Sequence, residues 1–225
     1  MTELGWLTRE LGDVPRHDRW LSDEEREVLS SLRVAKRRVD WRLGRWAAKA
    51  AVAAWRGVAP ESVVIIAADD GAPQARIDGD HADVALSLSH RRGRALATVG
   101  NGSTALGCDL EAVEPRSPAF LREWLAPAER DLVMTQAGEG RDLAANLVWT
   151  AKEAASKARR EGLRLNVRKA IAEADAMAQS FGSWARLRVT WENGLVDAGW
   201  CRRNPGWVMA LVSDPVCELP PTELR

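Results

Sequence analysis

Gly107-Cys108-Asp109-Leu110-Glu111 sets two carboxylates two residues apart in a stretch that reads as a β-strand. Side chains alternate across a strand, so Asp109 and Glu111 share one face while Cys108 and Leu110 take the other. Like charges that close disfavour each other unless a cation or water screens them. Alone, this pattern is a strand end with two solvated acids. A third acid comes from Trp149-Thr150-Ala151-Lys152-Glu153-Ala154-Ala155-Ser156-Lys157. On a helix Glu153 and Lys157 stand at i and i+4 on one face, with Trp149 a turn earlier on the same side. By itself that is a surface ion pair worth about 0.2–0.5 kcal/mol. Joined to Asp109 and Glu111, however, Glu153 would complete a three-carboxylate oxygen site. Such a site suits Mg²⁺, which commonly keeps waters and takes substrate phosphates as further ligands. Lys157 would then lie one turn away, poised for a phosphate oxygen.

A basic cluster stands elsewhere. Arg33, Lys36, Arg37, Arg38, Arg42, Arg45 and Lys49 crowd one helix against a single acid, Asp40. A solvated face is the default reading. Arg37, Arg45 and Lys49, at steps of eight and four, nevertheless fall close to one stripe that would track a polyanion. Leu88-Ser89-His90-Arg91-Arg92 closes a strand before a glycine. A lone His usually makes local hydrogen bonds, but a charged His donates through both nitrogens and has basic neighbours here. No phosphate-binding G-x-x-x-x-G-K-[ST] loop, G-x-G-x-x-G fingerprint or G-x-S-x-G elbow occurs.

The elements that must carry these residues follow from periodicity and punctuation. Ser22 and Glu25 form a capping box for a first helix. Trp41, Ala48, Val52 and Trp55 recur at helical spacing between Val34 and Arg56, and Gly57 offers a left-handed stop. Val63 to Ala67 is a β-branched strand ended by Asp69-Asp70-Gly71-Ala72-Pro73. Val84 to Ser89 and Ala95 to Val99 read as strands, and Asn101-Gly102 predicts a tight hairpin to Ala105-Leu106-Gly107-Cys108. Helices are expected around Ala119 to Ala137 and Leu143 to Glu161, the second stopped by Gly162. Strands are expected at Ala185 to Trp191, Leu195 to Trp200 and Trp207 to Val212. The order helix, helix, strands thus occurs twice, with no fixed-period repeat. The expected fold is α+β, built of two similar halves, residues 1–107 and 108–225, with a ligand cleft between them.

Composition removes other classes. The 225 residues are 46% hydrophobic and 28% charged, which argues against disorder. Lys+Arg and Asp+Glu balance at 32 each, so no global field draws the chain to nucleic acid or membrane. Three cysteines without metal-ligand spacing read as reduced thiols, and no apolar run spans a membrane. A cytoplasmic protein is expected. Two rivals share the same residues: another Mg²⁺ enzyme of phosphate esters, such as a nuclease, and a non-catalytic carrier-protein or nucleic-acid binding module whose basic helix from Arg33 to Lys49 meets an acidic partner.

In their order along the chain, these blocks resemble the Sfp-type 4'-phosphopantetheinyl transferases. The match runs from Lys36-Arg37-Arg38-Val39-Asp40-Trp41-Arg42-Leu43-Gly44-Arg45 with Lys49, through Gly71-Ala72-Pro73 and Ser89-His90. It continues with Gly107-Cys108-Asp109-Leu110-Glu111, Pro127-Ala128-Glu129 and Trp149-Thr150-Ala151-Lys152-Glu153-Ala154 with Lys157 and Gly162. The resemblance implies transfer of the phosphopantetheine arm of coenzyme A to a serine of an acyl or peptidyl carrier protein, releasing adenosine 3',5'-bisphosphate. It also implies a pseudo-twofold α+β monomer. Asp109, Glu111 and Glu153 resemble the family's Mg²⁺ ligands, and Lys157 its pyrophosphate-contacting lysine. Arg37, Arg45, Lys49, Gly71, Pro73, Ser89 and His90 resemble its coenzyme A contacts, and Glu129 a further glutamate near the metal. The chain departs from the family at Ala72, where a basic residue is common, and at Arg91, where a small polar one is. Fatty acid, polyketide, nonribosomal peptide and siderophore pathways all present such a carrier serine.

Overall fold

A computed structural model describes residues 3–161, 166–174 and 181–225 and shows an α+β protein. Two compact units divide the chain, Met1–Thr104 with Pro221–Arg225, and Ala105–Pro220. A boundary at 107/108 would cut a strand, β7 (Ala105–Ala112); the division falls just before that strand.

In the first unit, β1 (Leu4–Glu10) leads into α1 (Asp23–Ser31) and α2 (Ala35–Arg56). β2 (Val63–Ala67), β3 (Pro73–Ile77), β4 (Asp80–His81), β5 (Val84–Arg91) and β6 (Arg94–Asn101) follow. One sheet has the order β12-β1-β6-β5, where β12 (Thr222–Glu223) pairs parallel to β1; the other is β2-β3-β4. The capping box forms as expected, with Ser22 Oγ accepting from Glu25 N at 3.2 Å. Gly57 ends α2 at φ 69. The second half of α2 is rich in alanine and buries Leu43, Ala47, Ala51 and Val52 against Leu7, Leu86 and Ala97.

The hairpin expected at Asn101-Gly102 does not form. β6 pairs with β1 and β5, whereas β7 pairs with β11 (Trp207–Asp214) in another sheet. Thr104 N instead bonds Asn101 O at 2.9 Å, and the chain moves on rather than doubling back. The tight turn lies at Arg92-Gly93, where φ values of 46 and 77 meet the demand of a two-residue hairpin between Arg91 and Arg94.

The second unit runs β7, α3 (Pro118–Trp124), α4 (Pro127–Thr135), α5 (Glu139–Arg159), β8 (Ile171–Ala174), β9 (Trp184–Thr190), β10 (Val196–Asn204) and β11. Its sheet has the order β7-β11-β10-β9-β8. The single helix expected over 119–137 is broken in two, because Pro127 at the first turn of α4 pushes Ala126 into extended backbone at ψ 156. The Gly162 stop lies outside the described residues. α5 packs Ala151, Ala154, Ala155 and Ala158 on Val208, Ala210 and Val212. Among the described residues, no helix is long and apolar enough to cross a membrane.

Candidate active site on the second unit

Gly107 determines how closely α5 approaches β7. A Cβ there would stand 2.0 Å from Ala154 O and 2.4 Å from Ala158 N, so any side chain would push the helix off the strand. The approach brings β7 against the face of α5 that carries Asn146, Trp149, Glu153 and Lys157. Asp109 Oδ1 accepts from Lys157 Nζ at 2.8 Å, and the same ammonium donates to Cys108 O at 3.0 Å. Alternation along the strand holds, yet Asp109 is not a solvated acid. It is 4% exposed, because α5 covers the face it shares with Glu111.

Glu111 is gripped from two sides. Its Oε1 accepts from Trp149 Nε1 at 3.3 Å and its Oε2 from Arg116 Nη2 at 2.8 Å. Arg116 Nε donates to Asn146 Oδ1 at 2.6 Å, while its guanidinium lies 4.7 Å over the Phe120 ring. Asn146, wholly buried, donates in turn to Glu114 O and Asp142 O at 2.7 Å each.

Asp109 and Glu111 both act on Glu153. Burial raises the Glu153 pKa above its ordinary value, the Asp109 and Glu111 charges raise it further, and Lys157 pulls it back only in part. For Lys157, burial works to lower the pKa, but Asp109, Cys108 and Glu153 outweigh it, and the ammonium titrates above its ordinary value. Among the described residues, no three His, Cys, Asp or Glu side chains already stand as a group ready to ligate a metal. Asp109 is drawn to Lys157 and Glu111 to Arg116. The donor chemistry nonetheless fits a hard divalent cation: all three are carboxylates, and a cation would relieve the repulsion felt at Glu153.

Residues 105–211 match the family model of the 4'-phosphopantetheinyl transferase superfamily. The second unit carries a phosphopantetheinyl transferase domain. That domain supports phosphopantetheine transfer in general. A search of curated proteins finds no match.

Basic residues also mark the first unit. Arg37 is exposed near the start of α2. Arg45 lies 4.8 Å over the Trp41 ring; burial lowers its pKa, against the opposing pull of Glu25. α2 crosses β5 closely at Gly44, where a Cβ would meet Leu88 at 3.1 Å and His90 at 3.9 Å. This brings Arg45 and the Ser89-His90 strand end into one neighbourhood, with Ser89 buried and His90 exposed. Gly71 takes φ 84 in the turn that precedes Pro73, the first residue of β3.

Two expectations from the resemblance are corrected. Lys49 is 0% exposed; its ammonium pairs with Glu25 at 2.8 Å and donates to Trp20 O at 2.9 Å, so it has no surface to offer coenzyme A. The stripe of Arg37, Arg45 and Lys49 passes from solvent into the core because α2 is enclosed in its second half. Glu129 is equally committed, accepting from Ala126 N and Ala172 N at 2.7 Å each and pairing with buried Lys152. It serves the interior of the second unit rather than a metal.

Proposed function

We propose that the protein transfers the 4'-phosphopantetheine moiety of coenzyme A to a serine hydroxyl of an acyl or peptidyl carrier protein, releasing adenosine 3',5'-bisphosphate. The observation that carries this reading is Asp109 bonded to Lys157 at 2.8 Å, with Asp109 and Glu111 acting on the nearby Glu153, within a phosphopantetheinyl transferase domain. Asp109, Glu111 and Glu153 would hold Mg²⁺. When bound, the ion supplies charge neutralisation and Lewis acidity to the diphosphate.

The residues of the chain do the rest. Serine oxygen attacks the phosphorus that bears the pantetheine arm, and the bond from that phosphorus to the bisphosphate oxygen breaks. Glu153, directly or through a water, takes the serine proton as general base. Lys157 faces the negative charge that develops on the leaving group. With its pKa raised, it keeps its proton and acts by charge rather than as an acid. Coenzyme A contacts are assigned to Arg37, Arg45, Gly71, Pro73, Ser89 and His90. Arg45 is favoured because a partly desolvated guanidinium gains most from an anion. Three buried cysteines outside any disulfide accord with a reducing, cytoplasmic setting, and the proposed working form is a monomer.

Wild type, incubated with coenzyme A, Mg²⁺ and a panel of apo carriers, should add the phosphopantetheine mass to at least one carrier by intact mass spectrometry. Asp109→Asn keeps the buried volume and should lower that rate on the order of 10²-fold or more. A folded Asp109→Asn working at the wild-type rate would refute the assignment.

A further inference from the structure

We infer that Arg116, held by Asn146, is a positioning residue that presents Glu111 to the divalent metal. The inference rests on the metal reading of Asp109, Glu111 and Glu153 given above. Glu111, Arg116, Phe120 and Trp149 form a closed circuit. Arg116 binds one carboxylate oxygen at 2.8 Å and Trp149 the other at 3.3 Å. Phe120 packs under the guanidinium at 4.7 Å and edge-on to Trp149 at 5.3 Å. A carboxylate gripped by a donor on each oxygen has a fixed plane. A carboxylate oxygen carries two lone pairs, so one that accepts a hydrogen bond can also ligate a metal.

Two readings of Arg116 predict opposite signs. A cation beside Glu111 could act as a placeholder that leaves when metal arrives, or as a clamp that stays. Its surroundings favour the clamp. Arg116 has a side chain only 11% exposed, and its Nε is bonded to a fully buried Asn146. Asn146 is held by Glu114 O and Asp142 O, so its amide orientation is determined. Glu114 Oε1 lies 3.7 Å from Arg116 Nη1. A side chain anchored on that many sides does not swing away. Hydrogen-bond partners of ligating carboxylates typically contribute 10–100-fold in metal affinity.

The test measures Mn²⁺ binding to the purified protein without coenzyme A, by electron paramagnetic resonance, for wild type, Arg116→Gln, Arg116→Lys and Asp109→Asn. Thermal unfolding of each accompanies it. Arg116→Gln should weaken Mn²⁺ binding about 10–100-fold. Coulomb's law alone predicts tighter binding, because a nearby positive charge has been removed. Arg116→Lys keeps the charge but cannot span Glu111 and Asn146 together, so it should also weaken binding, by less. If Arg116→Gln does not fold, Arg116→Lys decides. Unchanged or tighter binding in the folded variants overturns the inference. Wild-type Mn²⁺ binding by Asp109→Asn would instead overturn the metal reading beneath it.

Discussion

In the first unit, Glu25 near the start of α1 accepts from Ser22 N and Ile65 N and pairs with Lys49, whose ammonium also donates to Trp20 O. In the second, Glu129 near the start of α4 accepts from Ala126 N and Ala172 N and pairs with Lys152, which donates to Trp124 O. The tryptophans repeat as well. Trp20 meets Trp46 at 5.3 Å, and Trp124 meets Trp149 at 5.1 Å. One construction therefore occurs in both units: a capping glutamate ties a helix start, the next long helix and a strand together in the interior.

The difference lies in what surrounds that construction. One residue beyond the buried lysine is Ala50 in the first unit and Glu153 in the second; five beyond it are Ala54 and Lys157. The strands differ likewise. Arg92-Gly93 and Pro205-Gly206 are both two-residue turns, and Glu10 and Ala112 pair with the first residue after each, Arg94 and Trp207. By that register, Leu7 and Arg9 stand where the second unit has Asp109 and Glu111. The proposed chemistry thus occupies positions next to a shared scaffold, and the scaffold lysines and glutamates are not part of it.

Stability breaks or upholds this parallel most directly. Lys152→Met leaves Glu129 buried without its cation, and Lys49→Met does the same to Glu25. Each should cost about 3–5 kcal/mol in urea unfolding. Unequal costs, one large and one negligible, would end the parallel. Folded Lys49→Met should keep the wild-type KM for coenzyme A; a large rise would return Lys49 to the ligand contacts.

Glu153→Gln sharpens the contrast, with a smaller effect of opposite sign. A carboxyl whose pKa is raised on folding binds more protons in the native state than in the unfolded one. Stability therefore falls as pH climbs from the unfolded pKa through the folded one. Removing the charge should raise Tm at neutral pH in metal-free protein, although it removes the proposed base. The gain should vanish in acid below the ordinary carboxylate range, where Glu153 is protonated in both states. A Tm that falls at neutral pH would show that Glu153 is paired rather than repelled.

Much of this was legible in the sequence, and the exceptions have identifiable causes. Strict capping chemistry revealed α1, and β-branched or alternating runs revealed β5, β6, β9 and β11. β1 carries no such signal, since Leu4 to Leu7 are buried in succession without alternation. Asn101-Gly102 had the residues of a hairpin, but partner choice belongs to the sheet, and Arg92-Gly93 makes the turn. For the site, strand alternation and the i, i+4 rule point to Asp109, Glu111, Glu153 and Lys157, and the structure pairs Asp109 with Lys157. Arg116 could not be read, because its reach back to Glu111 and Asn146 depends on the path of residues 113–117. Lys49 misled because periodicity names a helix face without saying whether that face is enclosed, and Glu129, which only the resemblance suggested, is enclosed as well. The repeated Trp-Leu-x-x-x-Glu at 20 and 124, followed by Trp-x-Ala-Lys at 46 and 149, was the available clue to their shared role.

The smallest expected effect completes the comparison along α2 itself. Lys36 and Asp40 form an i, i+4 pair, with the lysine side chain 83% exposed. Water screens that pair, and holding two mobile side chains offsets its attraction. Lys36→Ala should therefore change unfolding stability by no more than about 0.5 kcal/mol. Lys49→Met, thirteen residues along the same helix, should cost several times that. Equal effects at the two positions would mean that burial, on which the contrast between scaffold and surface depends, does not govern the strength of these ion pairs.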